Sequence, residues 1–349
     1  MSPVAVSEAS GPRTYGNWRK PRTAGLFGLG KIGTMTLLVG LVLAIFVMML
    51  GRLVSALALI VALAALLLTT ALRDKHDVSV LDKMATRAGW RVARAKGAHL
   101  YRSGPLGFAL WGTHQLPGIA AALRVSEHKD SYKRPFALVH SPATSTFSIV
   151  LATEPEGAHL VDASRIDQQV AGWGQWIANL GDEAGLQACA VTVETSADTG
   201  HRLRSEVQGA MDPGAPEFAK RTLRQVVDSY PAGSSTITAY VTLTFGAGTV
   251  GGKKRSPEQM GRDLASRLPG LAADLARTGA GAVSPVSAQE LCEVVRTAYD
   301  PDVATAMQEA RAAGEMPQLS WTDVGPAAAE AEWAGYRHDS AYSVTYQMS

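Results

Sequence analysis

IGTMTLLVGLVLAIFVMML (Ile32–Leu50) and LVSALALIVALAALLLTTAL (Leu53–Leu72) are the two stretches whose reading decides the fold. The first is 19 residues without a charge, the second 20, and only Gly51 and Arg52 separate them. At about 1.5 Å per residue, each run as a helix can cross a hydrocarbon core roughly 30 Å thick. A helix apolar on every side belongs in a deep core or in lipid, so the expectation is a tight transmembrane hairpin with spans 32–50 and 53–72. A secretory signal fits poorly, because its apolar region is about 7–15 residues long and ends at a small-residue cleavage site.

Working outward, Arg13, Arg19, Lys20, Arg22 and Lys31 precede the hairpin, and Arg73, Lys75, Lys83, Arg87, Arg91, Arg94 and Lys96 follow it. Lys and Arg accumulate on cytoplasmic flanks, which predicts a two-span plasma (inner) membrane protein with both termini in the cytoplasm. Residues 1–31, rich in Gly, Pro, Ser and basic side chains, read as a disordered arm. Within 73–104, Leu81, Met84, Ala88, Val92 and Ala95 recur at helical spacing. That helix either lies on the membrane or connects to the next domain. On the first reading Arg73, Lys75, Arg87, Arg91 and Arg94 contact anionic lipid.

Charge divides the chain. Residues 1–104 hold 14 Lys and Arg against 4 Asp and Glu, or +10; residues 105–349 hold 19 against 27, or −8. An acidic remainder excludes a surface that tracks phosphates, so no direct nucleic-acid partner is expected. Cys189 and Cys292 each sit in an apolar pattern and read as small buried hydrophobes.

From Tyr101 the pattern becomes mixed. Phe136–His140 and Thr146–Thr153 read as strands. Ile166, Val170, Trp173, Ile177 and Leu180 mark one helix face, and Leu186–Glu194 follows as a strand. Residues 197–230 look like a helical insertion, with a helix over Glu217–Ser229. TITAYVTLTF (Thr236–Phe245) is a regular strand, Ser256 with Gln259 caps a helix carrying Met260, Leu264, Leu268, Leu271 and Leu275, and Ala280–Val286 returns as a strand. Two strand–helix–strand units in tandem predict a cytoplasmic α+β domain over 105–312, a ferredoxin-like sandwich with helices on one face of an antiparallel sheet. Ser287 with Glu290 caps a further helix. Residues 313–349 read as the start of another segment in a chain that continues past Ser349.

No motif demands catalysis. Gly25–Ile32 (GLFGLGKI) has phosphate-loop spacing, but Ile32 replaces the metal-binding hydroxyl residue and no strand precedes it. Ala247–Lys254 (AGTVGGKK) lies between a strand and a helix, yet Ala247 stands for the first Gly and Lys254 for the hydroxyl. It reads as a solvated loop whose Lys253, Lys254 and Arg255 contact an acidic partner or anion; a nucleotide enzyme using this loop is the remote alternative. The eight histidines include no pair at i, i+3 or i, i+4, and no cofactor or metal is expected. Trp173 belongs with the core stripe, leaving Trp176 as a candidate partner contact.

YRSG (Tyr101–Gly104), LPGI (Leu116–Ile119), WGQWIANLG (Trp173–Gly181), AYDP (Ala298–Pro301) and WTDVGPAAAE (Trp321–Glu330), behind a two-helix hairpin, resemble actinobacterial membrane proteins of conjugative, type IV-like secretion loci. The hairpin resembles a PrgI-like component, and the remainder is similar to the non-motor amino-terminal part of conjugative secretion ATPases. The resemblance implies a non-enzymatic inner-membrane scaffold that docks a secretion ATPase or coupling protein, with other membrane components of the apparatus as neighbours and a homo-oligomeric state. No catalytic residues come with it. The alternative is a type VII secretion membrane component, which also joins two amino-terminal helices to a cytoplasmic domain.

Overall fold

The computed structural model describes residues 30–71, 78–105, 107, 113–155, 157, 161–197, 201–229, 235–250, 253–315 and 318–346. It divides into two compact units, Met1–His99 with Val344–Ser349, and Leu100–Ser343.

Among the described residues, the first unit holds the helices α1 (Gly30–Met49), α2 (Leu53–Ala71) and α3 (Val80–Ala95). The chain reverses at Gly51, whose φ of +73° is cheap only for glycine. Gly51 N–H donates to Met48 O at 3.0 Å. α1 and α2 meet where side chains are small. Ala44 and Ala56 are buried, and a Cβ on Gly40 would stand 2.6 Å from Leu63 Cδ1. Their outer faces are open, with Val39 62%, Leu53 69% and Val54 82% exposed. α3 starts at Ser79, whose Oγ accepts the Asp82 N–H at 3.1 Å.

Among the described residues, no helix is long and apolar enough to cross a membrane. The expected fold of a membrane hairpin plus domain is corrected on this ground. The plasma-membrane placement and the two-span topology with cytoplasmic termini are corrected with it.

Among the described residues, the second unit is α+β, with a large sheet, a small sheet and a two-stranded β7–β8 ribbon. In chain order its strands begin β1 (Leu100–Arg102), β2 (Arg124–Lys129), β3 (Pro135–Ser141), β4 (Thr146–Glu154), β5 (Leu186–Ala197) and β6 (Ser235–Gly246). β7 (Thr249–Val250), β8 (Lys253–Lys254), β9 (Ala282–Pro285), β10 (Ala328–Ala331), β11 (Tyr336–His338) and β12 (Ala341–Ser343) follow. Its helices are α4 (Ala163–Gly181), α5 (His201–Ala210), α6 (Glu217–Ser229), α7 (Pro257–Leu275), α8 (Ala288–Tyr299) and α9 (Asp302–Ala312). The large sheet runs β2–β3–β4–β6–β5, all antiparallel. β3 pairs with the start of β4 through Val139–Ser141, and β9 takes over that edge from Leu151 to Glu154. The small sheet runs β1–β10–β11–β12, so residues near 330 return to pair with Leu100–Arg102.

Period-two alternation sets the main core. Phe136 and Leu138 of β3, Phe147, Ile149 and Leu151 of β4, and Val241, Leu243 and Phe245 of β6 face Trp176 and Leu180 of α4 and Met260, Leu264 and Leu268 of α7. The sequence places helices on one face of the sheet; the structure covers both. Ala137, Val139, Val150, Ala152 and Tyr240 point the other way, against Leu291 and Val295 of α8 and Trp321. β4 is apolar at both parities, the mark of a strand buried on two sides.

α7 passes through Pro269 without losing a partner for the carbonyl that proline leaves free. Ala265 O accepts from Ser131 N at 3.2 Å and Ser131 Oγ at 3.1 Å. The β2–β3 turn that supplies Ser131 is held by Asp130, whose fully buried carboxylate accepts from Tyr132 N (2.9 Å), Arg134 N (2.8 Å) and Arg134 Nε (2.8 Å). Burial alone would raise this carboxyl; the hydrogen bonds and the Arg134 charge outweigh it and hold it below the usual range. A depressed carboxyl contributes stability above its unfolded pKa and loses it as pH falls through the folded one. Asp130→Asn is therefore expected to cost about 1–3 kcal/mol near neutral pH. The cost should shrink as pH drops below the carboxylate range, in urea unfolding curves taken across pH.

Candidate functional site

A groove of about 330 Å³ lies between α4, the β5–β6 end of the sheet and the turn after α7. β5 supplies Val191 and Val193, β6 supplies Ala239 and Val241, and α4 supplies Gln169, Val170 and Trp173. The far wall is Leu275 and the π-helical turn Ala276–Ala280. That turn approaches α4 closely. Gly279 has φ +84°, and a Cβ there would stand 2.7 Å from Gln169 Cδ. Among the described residues, the lining carries no carboxylate, imidazole, thiol or amine. Its valines, alanines and Trp173 make a surface that takes up apolar side chains.

The sequence assigns Trp173 to the core and Trp176 to a partner; Trp173 packs half-buried against the core, but Trp176 is buried within it. Trp176 is 3% exposed, in the core, and stacks on Trp173 at 4.9 Å. Its buried indole N–H has no acceptor among the described residues. Trp173, packed on that core, also lines the groove. α4 is apolar around more than one stripe, and burial follows the face that meets β6 and α7, leaving Ile177 50% and Val170 38% exposed. Cys292 is buried, but Cys189, expected to be buried too, is exposed on β5.

The basic loop does not form a phosphate cradle. β7 pairs with β8, Thr249 against Lys254 and Val250 against Lys253, so the main chain that would wrap a phosphate is paired with itself. The next helix start is already capped. Ser256 Oγ accepts from Gln259 N at 3.3 Å, and Ser256 N donates to Gln259 Oε1 at 2.9 Å. Lys254 Nζ donates to Ser145 Oγ at 2.7 Å, and Arg255 pairs with Asp263 at 3.0 Å. The Lys253 side chain, Arg73 and Lys75, and Gly25–Leu29 of the earlier glycine-containing run lie outside the described residues. Arg87, Arg91 and Arg94 are exposed on α3, as are Leu81, Met84 and Val92 of its apolar stripe.

Elsewhere polar side chains are committed to structure. Arg296 Nη1 donates to Gly325 O (2.9 Å) and Asp339 Oδ2 (2.9 Å), and Nη2 to Asp300 Oδ2 (2.8 Å). Ser103 Oγ lies 2.8 Å from His114 Nδ1, but its one proton goes to Pro326 O at 2.7 Å. His114 must then donate to Ser103, which is the reverse of a base activating a nucleophile. Among the described residues, no three His, Cys, Asp or Glu side chains converge as a metal site.

A family model described as a domain of unknown function, DUF8461, matches residues 22–82, the segment that carries α1 and α2. No curated protein and no solved structure matches the chain.

Proposed function

We propose that this protein is a non-enzymatic scaffold component of a conjugative, type IV-like secretion apparatus that docks a secretion ATPase or coupling protein. The observation that carries the proposal is the outer surface of the α1–α2 hairpin, where Val39, Leu53, Val54 and their neighbours stand open on both helices. An apolar patch of this extent marks a contact surface. Within the apparatus it is covered by other components, while the acidic α+β unit receives the ATPase. The resemblance of YRSG, LPGI, WGQWIANLG and AYDP to proteins of conjugative loci supports this reading. The groove beside Trp173, lined by Val170, Val191, Val193, Ala239 and Val241, supports docking of an apolar side chain. α6 adds a second exposed apolar stripe, with Phe218 77%, Leu223 45% and Val226 51% open.

Crosslinking in native host cells, followed by purification through a carboxyl-terminal tag, tests the proposal. Recovery of a conjugative ATPase or coupling protein is the expected result. Recovery of an FtsK-like ATPase with small WXG-type substrates would move the assignment to type VII secretion, and recovery of no apparatus protein would end it. ATP or GTP binding abolished by Lys253→Ala would instead restore the nucleotide-enzyme reading.

A further inference from the structure

β5 is the free end of the large sheet: among the described residues it pairs with β6 alone. Long edge strands are ordinarily blunted by lysine, proline, bulges or charge, because their open N–H and C=O groups template association. β5 has no Lys, Arg or Pro. Its one charge is Glu194, and its register irregularity lies at the far end, between Leu186 and Ala188. Cys189, Val191 and Val193 share one face by alternation. Cys189 is exposed, and Val191 and Val193 are 48% and 62% exposed. Val170 and Ile177 of α4 add exposed apolar surface on the same side of the sheet.

We propose that β5 pairs antiparallel with β5 of a second copy of this chain, centred on Val191, so that the large sheet continues across a two-fold axis. Charge selects a second copy as the occupant. A two-fold interface must complement itself; a strand rich in one sign of charge would repel its copy and call for an opposite partner, whereas Leu186–Ala197 is neutral apart from Glu194. Centring on Val191 sets Cys189 opposite Val193 and Glu194 opposite Ala188. The two Glu194 side chains then stand six residues apart, about 20 Å at roughly 3.3 Å per residue, well beyond a screening length of about 8 Å. Three apolar cross-strand pairs form on the face that leads into the groove. Moving the centre to Thr192 sets Cys189 opposite Thr195 and leaves two such pairs. Main-chain groups on the open edge gain antiparallel partners in the same step. This pairing stands or falls independently of the secretion assignment.

Cysteine pairing in the full chain tests it. In Val193→Cys the new thiol of one copy stands opposite Cys189 of the other, with Cα atoms about 4.5–5.5 Å apart, inside the range a disulfide spans. Cys292 is buried and does not compete. Mild oxidation is expected to give a disulfide-linked dimer on a non-reducing gel. Cys189→Ser should abolish it, and adding Val191→Lys, which opposes two cations at the centre, should reduce it roughly tenfold. Both valines are exposed, so circular dichroism should show each variant folded. A folded Val193→Cys chain that gives no dimer overturns the proposal, and so does a dimer indifferent to Val191→Lys.

Discussion

Phe245→Ala should cost about 4 kcal/mol of stability, read as a shift of the urea midpoint at unchanged slope. Phe245 is completely buried at the end of β6, in the core between the sheet and α7. Its ring also carries the Arg267 guanidinium 5.0 Å above the centroid, and Arg267 Nε in turn donates to Glu183 Oε1 at 2.8 Å, beyond the end of α4. Truncation therefore opens a cavity and removes the surface on which an α7–α4 ion pair is laid. Ile237→Ala on the same strand is the control. Ile237 is 54% exposed, and its loss should stay within about 0.5 kcal/mol.

Arg296→Met should cost about 3 kcal/mol, because it leaves two carboxylates facing an apolar group. The Arg296, Asp339 and Asp300 side chains are 17%, 8% and 16% exposed, so their pairing is only weakly open to salt. The same guanidinium joins α8 to the Gly325 carbonyl, and Asp339 receives the Ala327 N–H at 2.8 Å. Losing Arg296 thus loosens the small sheet from α8. The surface pair Arg277–Asp274, 3.7 Å long with the Arg 81% exposed, is the comparison; Arg277→Met should change stability by less than about 1 kcal/mol, and that little should fade in salt. Thermal unfolding of both variants at low and high ionic strength separates the two cases.

These two residues mark how far the sequence can be read. Phe245 belongs to TITAYVTLTF, whose alternation assigns strand and buried face without reference to anything distant. The same local logic reaches the capping boxes at Ser256 and Ser287, both present in the structure, and the apolar stripe of α7. Arg296 carries no such signal, because its acceptors at Gly325 and Asp339 lie 29 and 43 residues away. Position within the sheet is equally silent. LQACAVTVE reads as a strand with a buried Cys189, and only the pairing order shows that β5 is an edge with Val191 and Val193 open. Trp176 joins Trp173 in the core for a related reason: α4 is apolar over a wide arc, and its neighbours decide which part is covered. The hairpin shows the limit of counting. Apolar runs of 19 and 20 residues predict spans, whereas among the described residues no helix has the length and apolarity to cross a membrane.

The proposed scaffold role requires the open face of that hairpin to be covered by components of a secretion apparatus. A photoreactive benzophenone side chain placed at Val54, 82% exposed on α2, and irradiated in the native host tests this at one atom's reach. The prediction is a covalent adduct with a secretion ATPase, a coupling protein or another component of the apparatus. Normal expression of the variant with no protein adduct from that position would contradict it.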